Sequence, residues 1–188
     1  MHTCTETTIR EVIARHGGVL KSGVQSPEDG QCCVLEARSL CLGMEMTDDP
    51  SLVGMPDIRP LNDAGWSSDE KRTEAMIRLC VAYADWSRWT YAQRSRVMSR
   101  VAIQTVRRII GELLVLPEKV REKCRKAEDL DAAAGAAGDA EAAGYAAAGD
   151  AGYAAARAAR DAEDAARDSV IETAVDIWIE AAAFSEPT

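Results

Sequence analysis

AEDLDAAAGAAGDAEAAGYAAAGDAGYAAARAARDAEDAARDSVIETAVDIWIEAAAF, residues 127–184, is the stretch whose reading decides the fold class. No proline interrupts it. Tyr145, Gly149, Gly152, Ala156, Ala159, Glu163, Ala166 and Val170 recur at alternating steps of four and three residues. Ala174, Ile177 and Ala181 continue the series after one extra four-residue step. Such near-heptad spacing keeps one narrow face of a helix toward a partner. Apart from Glu163 the face is apolar or glycine, and Asp150, Asp161, Asp164 and Asp168 fall on the opposite side. Gly-Tyr-Ala-Ala-Ala stands at 144–148 and again at 152–156. Alanine has the highest helix propensity, which offsets about 1 kcal/mol lost at each interior glycine. Val170, Ile171, Val175, Ile177, Trp178 and Ile179 then form a strongly apolar end that needs a surface to cover it. That surface is either the rest of the chain or a second copy.

The expected architecture is therefore all-α: a helical core over residues 1–126, including the loop 45–66, with an alanine-rich segment over 127–188. That segment is a long helix or a helical hairpin packed on the core or on a partner subunit. Hydrophobic residues make up 47 % of the chain, enough for a core, but many are alanines and Phe occurs once. Close helix contact must replace large side chains. No apolar run approaches the roughly 20 residues a bilayer requires, so no membrane is expected.

Charge is distributed in blocks. Residues 1–87 carry 8 basic and 14 acidic side chains, residues 88–126 carry 11 and 3, and residues 127–188 carry 3 and 14. The net charge of −9 argues against direct nucleic-acid binding by the whole surface. A basic middle between acidic flanks fits two arrangements: pairing within or between chains, or a face that takes anions. The six cysteines match no zinc spacing and include no C-x-x-C pair. They read as reduced, mostly buried thiols of a cytoplasmic protein.

Along the chain, Thr5–Arg15 is expected as a helix with Ile9, Val12 and Ile13 on one face, stopped at His16-Gly17-Gly18. His16 reads as a partner for the helix C-terminus rather than a base. Cys33–Met44 reads as a buried helix with Glu36 in its first turn and Arg38 inside it. Ser67-Ser68-Asp69-Glu70 reads as a Ser-x-x-Glu capping box opening a helix to about Trp89. Thr90–Val115 is a further helix with Ala102, Val106, Ile109, Ile110 and Leu113 as its apolar stripe. Pro117 is suited to the first turn of the next helix, which carries five basic residues and runs into the alanine tract.

Asp29-Gly30, Cys33-x-x-Glu36-Ala37, Asp49-Pro50 and Asn62-Asp63 together resemble an uncharacterised family of bacterial (notably actinobacterial) and phage proteins. That family has a DG…CxxEA…DP…ND pattern and an alanine-rich helical C-terminus. The resemblance covers roughly residues 26–85. The family's loop carries a Ser-Asp-His-Pro-like sequence where this chain has Thr47-Asp48-Asp49-Pro50. The resemblance implies a bacterial or phage accessory protein, with counter-defence among the roles such proteins serve. It implies no particular activity.

Two groups of residues are candidates for function. Cys33, Glu36, Asp48, Asp49, Asn62 and Asp63 form a polar cluster. They could gather oxygen ligands for Mg²⁺ or Ca²⁺, or tie loop amides to carboxylates, which is the favoured reading. No metal or other cofactor is assigned. A nucleophilic Cys33 would need a positioned base, and neither histidine is near it in sequence. The second group is Arg96, Arg100 and Arg107, which lie within about 40° of one another on a helix. Three aligned guanidinium groups suit a phosphate or carboxylate. Trp86 and Trp89 at the preceding helix junction are either core or a stacking surface for a base.

The leading functional reading is a non-enzymatic binding protein. It captures an anionic, nucleotide-like ligand, such as a defence signalling molecule, or a host protein partner, and assembles as a homo-oligomer through the alanine-rich helix. Beside it stand an acidic helical interaction or inhibitor module that imitates nucleic acid, and a metal-assisted enzyme built on the acidic cluster.

Overall fold

The computed structural model describes residues 4–113, 116–142 and 164–185. Among these there are eight α-helices and no strands, so the chain is all-α. It divides between Trp89 and Thr90 into two units. The expected division after Lys126 falls inside the second unit.

In the first unit α1 (Glu6–Arg15) packs on α2 (Val34–Cys41) and α4 (Asp69–Ala82), and α2 packs on α4 and the four-residue α3 (Arg59–Asn62). Thr5 caps α1, accepting from the Thr8 amide while the Thr8 hydroxyl accepts from the Thr5 amide. The helix stops at His16, where Gly17 and Gly18 take φ of 86° and 80°, a conformation glycine reaches without steric cost. His16 Nδ1 lies 2.9 Å from the Val12 carbonyl, at the helix C-terminus as expected. Ile9, Ile13, Leu20, Leu35, Ile58, Leu61, Met76, Ile77, Leu79 and Tyr83 form the buried core.

Three boundaries differ from the sequence reading. Helix α2 ends at Cys41, and Met44 is exposed. Ser68, not Ser67, caps α4, accepting from the Lys71 amide at 3.3 Å. The two serines are adjacent, and the one whose backbone is extended just before the first helical residue takes the role. Helix α4 ends at Ala82, and a 3₁₀ turn at Trp86–Arg88 follows.

The second unit is built on α5 (Tyr91–Arg108). Thr90 and Gln93 form a reciprocal capping box at its start. Val97, Val101, Thr105 and Val106 are its buried face, whereas Ala102 is only half-buried. A 3₁₀ turn at Ile110–Glu112 follows. Pro117 stands at the cap of α6 (Glu118–Arg125), one place before the expected first turn. Gly111 is required where it packs on α6: a Cβ there would sit 2.8 Å from Arg125 Cγ and 3.2 Å from the Arg125 amide nitrogen.

Helix α6 does not run into the alanine tract. The chain breaks at Lys126–Asp129, and the Asp129 carboxylate accepts from the Ala132 amide at 2.8 Å to begin α7 (Leu130–Ala142). Local capping by Asp competes with helix continuation and wins here. Ala133, Ala136, Ala137 and Ala140 are the buried face of α7, which lies on α5 and α6. Small side chains at i, i+3, i+4 and i+7 allow that approach.

The last helix, α8 (Asp164–Ala182), packs on α5. Its buried face is Asp168, Ile171, Ala174, Val175, Ile177, Trp178, Ala181 and Ala182. The expected stripe is kept at Ala174, Ile177 and Ala181, but Ala166 is exposed and Val170 only half-buried. The face is rotated toward Ile171, Val175 and Trp178 because larger side chains gain more from burial, about 1.5–3 kcal/mol each. Asp168, expected on the outer acidic side, is buried. The expected stripe from Tyr145 to Glu163 lies outside the described residues, as do Asp150, Asp161 and the repeated Gly-Tyr-Ala-Ala-Ala. No described helix is long and apolar enough to cross a membrane.

Candidate functional site

The polar cluster of the first unit is organised around the loop after α1. Glu36 is 1 % exposed. One of its carboxylate oxygens accepts from the Cys33 amide at 2.6 Å and the other from the Gln25 amide at 2.9 Å. The first bond caps α2; the second holds the loop. Asp63 accepts from the Gly23 amide at 2.7 Å and from Asn62 Nδ2, also at 2.7 Å. Asn62 Nδ2 donates in addition to the Lys21 carbonyl at 3.0 Å. Loop residues 21–25 are thus fastened by side chains from α2, α3 and the residue after α3.

Three further residues complete the fastening. Arg72 Nε donates to the Asn62 carbonyl at 2.9 Å. The Thr73 hydroxyl accepts from the Leu20 amide at 2.8 Å. Asp69 takes Lys21 Nζ at 2.5 Å and is also bonded by Arg72. These two cations hold the Asp69 carboxyl below its ordinary value. The sequence singles out none of Lys21, Arg72 and Thr73, and places Asp69 only at the start of a helix. Arg72 and Thr73 look like ordinary helix-surface residues there, and no local signal says that α4 turns this side toward the loop.

Asp49 is separate in its bonding. It accepts from the Ser51 amide at 2.8 Å and the Ser51 hydroxyl at 2.6 Å, closing a local turn, and these bonds lower its carboxyl pKa. Asp48 lies 3.9 Å from an Arg59 nitrogen. Among the described residues no group of three or more His, Cys, Asp or Glu side chains is placed to hold a metal ion. Burial pushes the Cys33 thiol up to about 12, and its neighbour is the Glu36 carboxylate rather than a histidine. A thiol so raised is a poor nucleophile. The cluster acts as a structural tie.

Arg38 is a buried residue whose role the sequence does not disclose. It donates from Nε to the Val53 carbonyl at 2.9 Å and from Nη2 to the Ala84 carbonyl at 3.1 Å, with longer bonds to Cys80 and Gly54 at 3.4 Å. The Cys80 carbonyl belongs to the last turn of α4, where a cation is favoured, and Ala84 lies just beyond it.

Trp86 and Trp89 are also in the first unit. Their ring centroids are 5.4 Å apart, and each lies 5.6–5.7 Å from the buried Tyr83 ring, in edge or tilted geometry. Both tryptophans are half-buried, and edge and tilted contacts are the preferred geometry of aromatic pairs.

Arg96, Arg100 and Arg107 are in the second unit, where all three line one cleft of about 750 Å³. Ser95, Ser99, Ile103, Gln104, Glu128, Ala183 and Phe184 complete its wall. The one-turn step from Arg96 to Arg100 and the seven-residue step to Arg107 bring them to the same side of α5. Arg107 is about 10 Å further along the axis than Arg100. The Arg100 guanidinium carbon sits 3.5 Å over the centroid of Phe184. Gln93 Nε2 donates to the Ser185 carbonyl at 2.6 Å and so fixes the 3₁₀ turn that carries Phe184. Among the described residues Arg96, Arg100 and Arg107 form no ion pair, whereas Arg108 on the same helix pairs with Glu180 at 2.7 Å. Phe184, Gln104 and Glu128 were not expected in this site. Phe184 lies 77 positions beyond Arg107 in the chain, and nothing local to either marks the meeting.

No family model, curated protein or solved structure matches the chain.

Proposed function

We propose that the protein is a non-enzymatic binding protein whose α5 cleft takes an anionic, nucleotide-like ligand. The observation that carries this reading is that three guanidinium groups line one cleft, none in an ion pair among the described residues. The three arginines are exposed, and gathering their charges on one wall raises the local positive potential, which favours an external anion. Serine hydroxyls and an amide beside the arginines supply further hydrogen-bonding groups, and Ile103 and Phe184 supply apolar contact. The wall is mainly polar, as a charged ligand requires. The volume accommodates a mononucleotide.

The inhibitor reading, an acidic helix imitating nucleic acid, requires an outward acidic face on the C-terminal helix. The burial of Asp168 weakens it. The metal-enzyme reading requires convergent carboxylates, and those of the polar cluster are each committed to amides or to cations.

Mass spectrometry of small molecules released from the purified protein tests the reading, together with calorimetric titration of nucleotides into wild-type and Arg96→Glu/Arg100→Glu protein. The expected result is binding by the wild type that is lost in the double variant. No released species, and no change in melting temperature across a nucleotide panel, overturns it.

A further inference from the structure

Among the described residues the α5 cleft contains one carboxylate. Glu128 lies in the connection between α6 and α7 and lines the same wall as the three arginines. In a cleft with three guanidinium groups, a carboxylate is expected to close on one of them. Among the described residues it does not: no nitrogen of Arg96, Arg100 or Arg107 is within ion-pair distance of Glu128. The cleft therefore presents anion-binding and donor-binding groups side by side, with neither cancelling the other. A simple polyanion would be repelled by Glu128. A ligand suited to the whole wall carries both phosphate and N–H donors.

We infer that Glu128 selects guanine nucleotides in this cleft, an inference that rests on the anion-binding reading of the same site. A carboxylate has two acceptor oxygens and no donor. Guanine offers two adjacent donors, N1–H and the N2 amino group, and so pairs with a carboxylate in a two-bond fork. Adenine places an acceptor, N1, beside its amino group, and a carboxylate repels that lone pair. Phe184, 50 % exposed and with the Arg100 guanidinium over one face of its ring, provides flat apolar surface of the kind on which bases stack, and Arg100 keeps its N–H edge for phosphate. The arginines take the phosphates. A site built to pair with specific N–H groups discriminates strongly against analogues lacking them.

The test is calorimetric titration of guanosine diphosphate, inosine diphosphate, adenosine diphosphate and pyrophosphate into the full chain and into Glu128→Gln. The wild type is expected to bind guanosine diphosphate about tenfold or more tighter than adenosine diphosphate. Inosine diphosphate, which keeps N1–H and lacks the amino group, falls between. Glu128→Gln is expected to lose the preference while binding pyrophosphate at least as tightly. Glu128 is exposed, so an unchanged thermal melt of the variant verifies its fold. Equal binding of guanosine and adenosine diphosphates, or a preference that survives Glu128→Gln, overturns the selectivity and leaves anion binding standing. Failure of all four ligands to bind overturns both.

Discussion

Arg38 Nη2 donates to the Ala84 carbonyl at 3.1 Å, joining α2 to the segment just after α4 across 46 residues of sequence. The same guanidinium bonds the Val53 carbonyl, so one side chain fixes the helix end and the loop before α3 together. Arg38→Met would leave several inward carbonyls without donors. Its expected cost is about 3 kcal/mol of unfolding free energy. Arg38→Lys would recover little of it, since an ammonium cannot reproduce the planar fork. Urea denaturation of both variants measures this, and a loss under about 1 kcal/mol for Arg38→Met would contradict the assignment.

Glu36 and Asp49 separate a structural tie from a metal site. Glu36 is buried with both oxygens used, and Asp49 closes an exposed turn. Glu36→Ala is expected to cost about 2–3 kcal/mol and Asp49→Ala much less. Thermal melts with and without a chelator should coincide for wild type and both variants. A chelator-dependent melting temperature that vanishes in either variant would return the cluster to metal binding.

Asp69 gives the first unit a pH dependence of known sign. Lys21 and Arg72 lower its carboxyl pKa below the ordinary 3.8. The carboxylate form is thus favoured by folding, and its contribution is complete above the ordinary value. It disappears as pH falls through the lowered one. Asp69→Asn should cost about 1 kcal/mol at pH 7, the pair being partly exposed. The gap between variant and wild type should narrow only below about pH 4. A gap of constant size down to pH 2.5 would assign Asp69 a role other than charge.

Ala181 is fully buried on α8 where it meets α5, whereas Ala166 on the same helix is exposed. Ala181→Leu is expected to overpack that contact and cost about 1–3 kcal/mol. Ala166→Leu should change stability by about 0.5 kcal/mol or less. Equal effects in guanidinium melts would mean that this face of α8 does not organise the second unit.

Helix identities were legible from periodicity and caps; their ends were less so. Thr5, Thr90 and Cys33 with Glu36 mark starts that the structure keeps, because a cap is a local interaction. The choice between Ser67 and Ser68 depends on backbone conformation set by the preceding loop. The break before α7 was hidden because Asp129 sits in a run whose composition favours helix throughout. The alignment of Arg96, Arg100 and Arg107 followed from helical geometry alone. Their cleft did not, because Glu128 and Phe184 reach it through tertiary packing. Trp86 and Trp89 were grouped with those arginines by closeness in sequence. The two tryptophans pack with Tyr83 in the first unit, while the arginines line a cleft of the second.

All six cysteines are buried unpaired thiols. Five of them, Cys4, Cys32, Cys33, Cys41 and Cys80, lie in the first unit, and Cys124 alone lies in the second. Burial raises the pKa of Cys32 and Cys80 to about 12, which suppresses reaction until the surrounding helices part. The chain thus carries its own clock for opening. Under a slow alkylating reagent, the label on Cys124 times the exposure of the α6–α7 contact, and the other five time the first unit. Ligand occupancy of the α5 cleft could be followed without any introduced probe, as a delay in the modification of one native sulfur.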